Sequence, residues 1–168
     1  MAAPYELYLI RHGLAEERGD AWPDDAKRPL TEQGMTRLRR AGRTLARLGV
    51  PVDVVLTSPF VRTRQTAELI AAAFTPRPAI INADALALGG TPAAVAAEIE
   101  KHGRRPHIFL VGHEPAMGEL AAWLIGTKNP IEFKKGGICR IDVETGPLRG
   151  GGALRWMLTP KILRALKK

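Results

Sequence analysis

Glu6-Leu7-Tyr8-Leu9-Ile10-Arg11-His12-Gly13 is the stretch whose reading decides the fold. Its first five residues read as a buried strand, and the strand ends abruptly on an arginine, a histidine and a glycine. The same pattern recurs twice. Residues 52–56 read as a second strand followed by Thr57-Ser58-Pro59 and then Arg62, and residues 107–111 as another strand ending in Gly112-His113.

Working outward, helices fall between these strands. Residues 14–30 are polar, carry Pro23 and Pro29, and form a long loop of the kind that often serves function in a compact domain. Thr31 is the expected N-cap of a helix running to about Leu48, with Met35, Leu38, Leu45 and Leu48 at helical spacing and Gly49 closing it. Ser58-Pro59 is the expected N-cap and first turn of a second helix with Ala67, Ile70 and Phe74 on one face. Ala79-Ile80-Ile81 is a short strand, Thr91-Pro92 opens a helix with Val95 and Ile99 inward, and a further helix runs from Pro115 to about Ile125. Residues 137–143 and 153–158 look like a hairpin, and residues 161–166 like a short basic terminal helix. Strands alternating with helices imply an α/β chain: one domain, residues 1–168, built as a three-layer α/β/α sandwich on a mainly parallel sheet. Ligands of such sheets bind beyond the carboxyl ends of the strands. Arg11-His12, Ser58 to Arg62 and His113 are therefore expected on one edge.

Composition narrows the function. The chain has 168 residues, 45% of them hydrophobic, with no run near the ~20 apolar residues a membrane helix requires. Met1-Ala2-Ala3-Pro4-Tyr5 lacks the features of a secretion signal, so a cytoplasmic monomer with no membrane partner is expected. The lone Cys139, expected half-buried in a strand, suits a reducing compartment. The net charge of +8 is spread over clusters at residues 37–43, 104–105, 134–135 and 161–168. With three Trp, two Tyr and four Phe, and no nucleic-acid module, no nucleic-acid partner is expected, and the charge points to anionic substrates or acidic proteins.

The chemistry follows from the residue types. A neutral imidazole is a competent nucleophile toward phosphorus at neutral pH, since its free pKa is ~6.5. Arg11 offers a planar fork for phosphate oxygens, and Gly13 allows a sharp turn and close approach to a ligand. Arg62 lies in the first turn of its helix, where free N–H groups favour an anion; alone it would read as a solvated charge. Arg64, two residues on, points away. His113 either donates to phosphoryl oxygens or caps the helix behind it. Neither His12 nor His113 has a His, Cys or carboxylate at ligand spacing, and the adjacent arginines would repel a cation, so no metal or other cofactor is expected. His102 and His107 read as surface residues.

Together these residues resemble the histidine phosphatase superfamily, the phosphoglycerate-mutase-like fold. Leu9-Ile10-Arg11-His12-Gly13 is similar to its signature, the run Thr57-Ser58-Pro59-Phe60-Val61-Arg62-Thr63-Arg64-Gln65-Thr66-Ala67 to its second block, and Val111-Gly112-His113-Glu114 to its third. The short length, Lys27-Arg28-Pro29-Leu30-Thr31 with Gly34, Gly112-His113-Glu114-Pro115 and Leu158-Thr159-Pro160-Lys161 resemble the SixA-type phosphohistidine phosphatases within it. The resemblance implies that His12 becomes phosphorylated, that Arg11 and Arg62 hold the phosphoryl oxygens, and that His113 stabilises the shifting charge. It adds Arg28 as a candidate further phosphate contact.

One departure carries information. Larger members have a glutamate, beyond the third strand, that protonates the leaving oxygen. Here that stretch reads Ala83-Asp84-Ala85-Leu86-Ala87-Leu88-Gly89-Gly90. An alkoxide needs a proton, and a positioned acid typically supplies ~10²–10⁴-fold in rate. The imidazole of phosphohistidine is protonated near neutral pH and departs as a neutral base. A metal-independent phosphohistidine phosphatase acting on proteins at a shallow, lidless site is therefore expected. A small-molecule phosphomonoesterase using Asp84 or Glu114 as acid, and a non-catalytic phosphate-binding module, are the alternatives.

Overall fold

Six strands assemble into one sheet in a computed structural model that describes residues 4–144 and 146–166. Met1-Ala2-Ala3, and the Lys167 and Lys168 of the terminal basic cluster, lie outside the described residues. The strands are β1 (Tyr5–Arg11), β2 (Val54–Thr57), β3 (Ala79–Asn82), β4 (His107–Gly112), β5 (Ile138–Val143) and β6 (Gly152–Leu158). They are ordered β3-β2-β4-β1-β5-β6. The first four in that order run parallel, and β5 and β6 close the sheet as an antiparallel hairpin.

The helices are α1 (Glu32–Arg47), α2 (Val61–Ala71), α3 (Pro92–Glu100), α4 (Ala116–Ile125) and α5 (Pro160–Ala165). Side chains of a strand alternate between faces, and here both faces are apolar. Leu7, Leu9, Val54, Leu56, Ile108 and Leu110 pack with Val95 and Ile99 of α3 and Met117, Leu120 and Leu124 of α4. Tyr8, Ile10, Val55, Phe109 and Val111 pack with Leu38 and Leu45 of α1, Ile70 of α2 and Leu163 of α5. The expected three layers follow.

Strand order sets the site. β4 lies between β1 and β2, with Arg11 beside Gly112 and Thr57 beside Val111. The ladder runs one step past the strands: the N–H of His12 donates to the Gly112 carbonyl at 3.0 Å, and that of Ser58 to the Val111 carbonyl at 3.0 Å. His12, His113 and Ser58 thus leave three neighbouring strands at one level.

Thr31 and Thr91 cap their helices as expected, and Thr159 does the same for α5, which begins at Pro160. Thr31, Thr91 and Thr159 each accept from the backbone N–H three residues on. Ser58 does not cap α2. Its backbone is still pairing with β4, so the helix begins only at Val61 behind Phe60, and the Ser58 hydroxyl is engaged elsewhere. Leu48 is 56% exposed because it sits at the C-cap of α1, past the last turn that faces the sheet, and Phe74 lies beyond the end of α2 and is half-buried. Cys139 is fully buried rather than half-buried, since α4 and Phe133 cover its face, and burial pushes its thiol up to about 12.

The 14–30 loop is ordered by its own backbone. Ala15 bridges Leu30, the Glu16 N–H donates to Pro29, the Thr31 N–H donates to Leu14, and Asp25–Lys27 forms a single 3-10 turn. Gly34 makes this possible: a Cβ there would stand 2.2 Å from the Leu14 carbonyl oxygen. Gly34→Ala is expected to displace the loop root and cost about 1–3 kcal/mol as overpacking does. A urea midpoint lowered at unchanged slope checks this.

Candidate active site

His12 follows β1 and is 6% exposed. Its N–H donates to Gly112, and its carbonyl accepts from Gly136 at 2.9 Å. Its Nδ1 lies 2.8 Å from the Gly13 carbonyl oxygen. A carbonyl only accepts, so Nδ1 carries the proton and Nε2 carries the lone pair. Burial, followed by the charges of Arg62, Arg11 and Arg28, lowers the ring from its ordinary 6.5 to about 4 against a partial opposing effect of the Gly13 bond. The imidazole is therefore neutral at pH 7, with the lone pair of Nε2 free of any hydrogen-bond partner among the described residues. Gly13 serves packing rather than a left-handed turn: a Cβ would meet Leu38 at 2.6 Å, and its N–H donates to the Thr66 hydroxyl at 3.1 Å.

His113, 2% exposed, lies with its ring centroid 5.4 Å from that of His12 in an edge-on arrangement. Its Nε2 is 2.8 Å from the Ser58 hydroxyl, which also accepts from the Phe60 N–H at 3.3 Å. Burial, then the charges of Arg62 and His12, lowers His113 to about 3, so this ring too is neutral. When the Ser58 hydroxyl donates to Nε2, the proton of His113 sits on Nδ1. A side-chain cap of α4 is not what His113 makes; only its carbonyl serves that helix, accepting from Met117.

Arg62 is 1% exposed in the first turn of α2. Its Nη1 donates to the Asp25 carbonyl at 2.8 Å and its Nη2 to the Asp25 carboxylate at 2.9 Å, while its guanidinium lies 5.1 Å from the Phe60 ring. Arg28, 7% exposed, donates from Nε to the same carboxylate at 2.9 Å and from Nη1 to the Glu16 carbonyl. Arg11 donates from Nη1 to the Phe133 carbonyl at 2.7 Å. Arg64 points away, to Glu68 and Asn82.

Among the described residues three buried side-chain polar atoms have no partner: Arg11 Nε, Arg62 Nε and His113 Nδ1. All belong to this cluster. Buried polar groups are ordinarily satisfied, and donors left over from two arginines and a histidine fit an oxyanion. The structure thus brings together Arg11, His12, Arg62 and His113, with Arg28 joined through Asp25.

The acid candidates are placed differently, and the charge of Glu114 reaches Arg11. Asp84 is exposed at the start of a 3-10 turn (Asp84–Leu86). The Glu114 carboxylate accepts from the backbone N–H groups of Gly118 at 2.8 Å and Phe133 at 3.4 Å. Burial alone would raise the Asp25 carboxyl, but its bonds with Arg28 and Arg62 outweigh this and hold it below the usual range. Among the described residues no three His, Cys, Asp or Glu side chains group as a metal site. His107 is half-buried and bonds Asp53 at 2.8 Å, which is more context than a surface residue has.

Asp25 and Thr66 are site residues to which the sequence reading gave no role, and Ser58, expected at this edge as a helix cap, bonds His113 instead. Thr66 follows Arg62 by one helical turn and donates to its carbonyl at 2.7 Å; Asp25 precedes Arg28 by three. Those spacings were the available signals. The expected lidless site is instead roofed at Arg62 by the 14–30 loop, and an open cleft of about 650 Å³ beside it is walled by Trp22, Asp25 and Leu88.

The chain belongs to the histidine phosphatase superfamily: its branch 1 profile matches residues 7–87. Within that superfamily it is a homologue of SixA. It is 30% identical to the phosphohistidine phosphatase SixA homolog of Haemophilus influenzae, over 76% of this chain and 81% of that one. It is 40% identical to an uncharacterized protein of Picosynechococcus sp., over 86% and 87%. The solved structure of the protein histidine phosphatase SixA complexed with tungstate superposes with a TM-score of 0.82 at 26% identity, covering 94% of this chain and 99% of that one.

Titration provides a direct check. Imidazole ¹⁵N NMR should place His12 at about 4 and His113 at about 3, well below the ordinary 6.5. Well above pH ~6.5 neither the folded nor the unfolded chain holds protons at these rings beyond the one each neutral imidazole carries. Below it the unfolded chain takes up protons that the folded rings refuse, so stability should fall as pH drops from ~6.5 toward 4. Titration of either ring at 6.5 contradicts the buried neutral pair.

Proposed function

We propose that this histidine-phosphatase-superfamily phosphatase hydrolyses phosphohistidine on proteins through a phosphoryl intermediate on His12. Nε2 of His12 attacks phosphorus as the bond from phosphorus to the substrate imidazole breaks. That imidazole leaves protonated at one nitrogen, as a neutral base. Water then attacks the phosphoryl group, the pair of the bond from phosphorus returns to Nε2, and both protons of the water leave with dihydrogen phosphate. Arg11 Nε, Arg62 Nε and His113 Nδ1–H hold the phosphoryl oxygens and meet the charge that builds on them. Arg28 keeps one terminal nitrogen for phosphate, since Nε and Nη1 are committed, and acts otherwise by fixing Asp25.

The observation that carries the substrate class is the state of the nearby carboxylates. Asp25, whose charge reaches His113, is held as an anion by two guanidinium groups and has no proton to give. Glu114 is tied to two backbone N–H groups, and Asp84 faces solvent. A site so equipped suits a leaving group that needs no acid. The tungstate carried by the SixA structure is a tetrahedral oxyanion like phosphate, and the H. influenzae relative's name is that of a phosphohistidine phosphatase. The cleft beside Asp25 would admit one side chain while its polypeptide stays outside. The same reading has the protein act as a cytoplasmic monomer, with no nucleic acid, membrane, metal or cofactor. No described helix is long and apolar enough to cross a membrane. The alternative, a small-molecule phosphomonoesterase, would need Asp84 or Glu114 to leave its present surroundings and reach the leaving oxygen.

Phosphate release from a phosphohistidine protein should exceed release from alkyl phosphates by at least the ~10²-fold that a positioned acid supplies. His12→Ala should abolish it while tungstate binding persists. Equal turnover of alkyl esters would refute the substrate assignment.

A further inference from the structure

Some exposed cations of this protein are held in ion pairs and many are not, but four of those on α1 and α5 are gathered on one groove. Arg64 pairs with Glu68, Lys101 with Glu98, Lys134 with Glu132, and Arg140 and Arg155 share Asp142. Among the described residues no ion pair includes Arg40, Arg43, Arg47 or Arg164. These four arginines wall one groove of about 670 Å³, floored by Leu163 and Leu166. Arg40, Arg43 and Arg47 stand three and four residues apart on α1, where like charges destabilise a helix. The only acid on α1 is Glu32, at its far end. Arg47 ends α1 and donates to the Leu166 carbonyl at 3.3 Å, but no carboxylate among the described residues offsets the mutual repulsion of the four.

The groove also leads somewhere. Arg40, Leu163 and Arg164 belong at once to it and to a narrower cavity lined by Gly13, Leu14, Lys135 and Gly136. Gly136 is the residue whose N–H donates to the carbonyls of Arg11 and His12. The groove and this cavity of about 40 Å³ share three walls, and together they form a basic channel beside α1 whose narrow end lies behind the loop that follows β1.

We infer that this channel docks an acidic, amphipathic polypeptide segment of the phosphohistidine-bearing substrate, an inference that rests on the protein-phosphatase reading above. Guanidinium forks match carboxylates two oxygens at a time, and the apolar floor suits the other face of such a segment. A single-stranded nucleic acid would ask for aromatic side chains on which bases stack, and neither cavity has any in its walls. Holding the partner there raises the effective concentration of its phosphorylated side chain at the site.

The test joins binding to turnover. A fluorescein-labelled glutamate- and leucine-rich helical peptide is titrated against the full chain, with an oligonucleotide of equal length as rival probe. Phosphate release is measured from an acidic phosphohistidine protein and from free phosphohistidine. The charge reversal Arg40→Glu/Arg43→Glu/Arg164→Glu should weaken the peptide at least tenfold, and cut kcat/KM on the protein by a similar factor through KM. Free phosphohistidine should turn over unchanged. Arg39→Glu, exposed on α1 but outside the channel walls, should bind like the wild type. The neutral Arg→Gln triple serves should the reversal fail to fold. Peptide binding unmoved by either triple, equal loss in Arg39→Glu, or tighter binding of the oligonucleotide overturns the inference. Peptide binding that follows these rules in a wild type inert toward both phosphohistidine substrates would sink the phosphatase reading and leave the docking channel standing.

Discussion

The site depends on one hydrogen bond, from Nδ1 of His12 to the carbonyl of Gly13, 2.8 Å away. It fixes the tautomer and so decides which nitrogen keeps a lone pair. Much of the surrounding structure holds that carbonyl and ring in place. β1 and β4 fix the His12 backbone, Gly136 secures its carbonyl, Thr66 holds the Gly13 N–H, and Leu38 packs where a Cβ of residue 13 would stand. A larger residue at 13 would move the acceptor, and with it the ring.

Around this ring the fold accumulates positive charge. Arg62 is essentially inaccessible and Arg28 nearly so, an expensive arrangement unless anions are at hand. Asp25 supplies one, bridging both guanidinium groups while leaving Arg62 Nε unengaged. Burial first, and the arginine charges after it, depress both histidines and keep them neutral, so the same arginines that would hold a phosphoryl group also help to keep the lone pair on His12. Asp25 thus links the ordering of a long loop to the electrostatics of the strand ends.

Much of this was legible in the sequence. The strands ending at Arg11 and His113 have unbroken apolar runs, as strands buried on both faces do, and Thr31 and Thr91 announce their helices through capping chemistry. Convergence of Arg11, His12, Arg62 and His113 followed from the rule for parallel sheets. What escaped reading depended on contacts between distant segments. Ser58 carries a cap's side chain, but pairing with β4 and the bond to His113 claim it first. Asp25 and Arg28 look like solvated loop charges until α2 brings Arg62 beneath them. Leu48 continues a helical stripe by spacing alone, one residue after the helix has ended.

The central claim is that Nε2 of His12 is the nucleophile because Gly13 occupies Nδ1. Rapid alkaline quench during turnover of a phosphohistidine protein, followed by peptide mapping and ³¹P NMR of the labelled peptide, tests it most directly. The account predicts a phosphoryl group on Nε2 of His12, formed and lost at rates that match turnover. A phosphoryl group on Nδ1, or on His113, or turnover with no covalent intermediate, would contradict it.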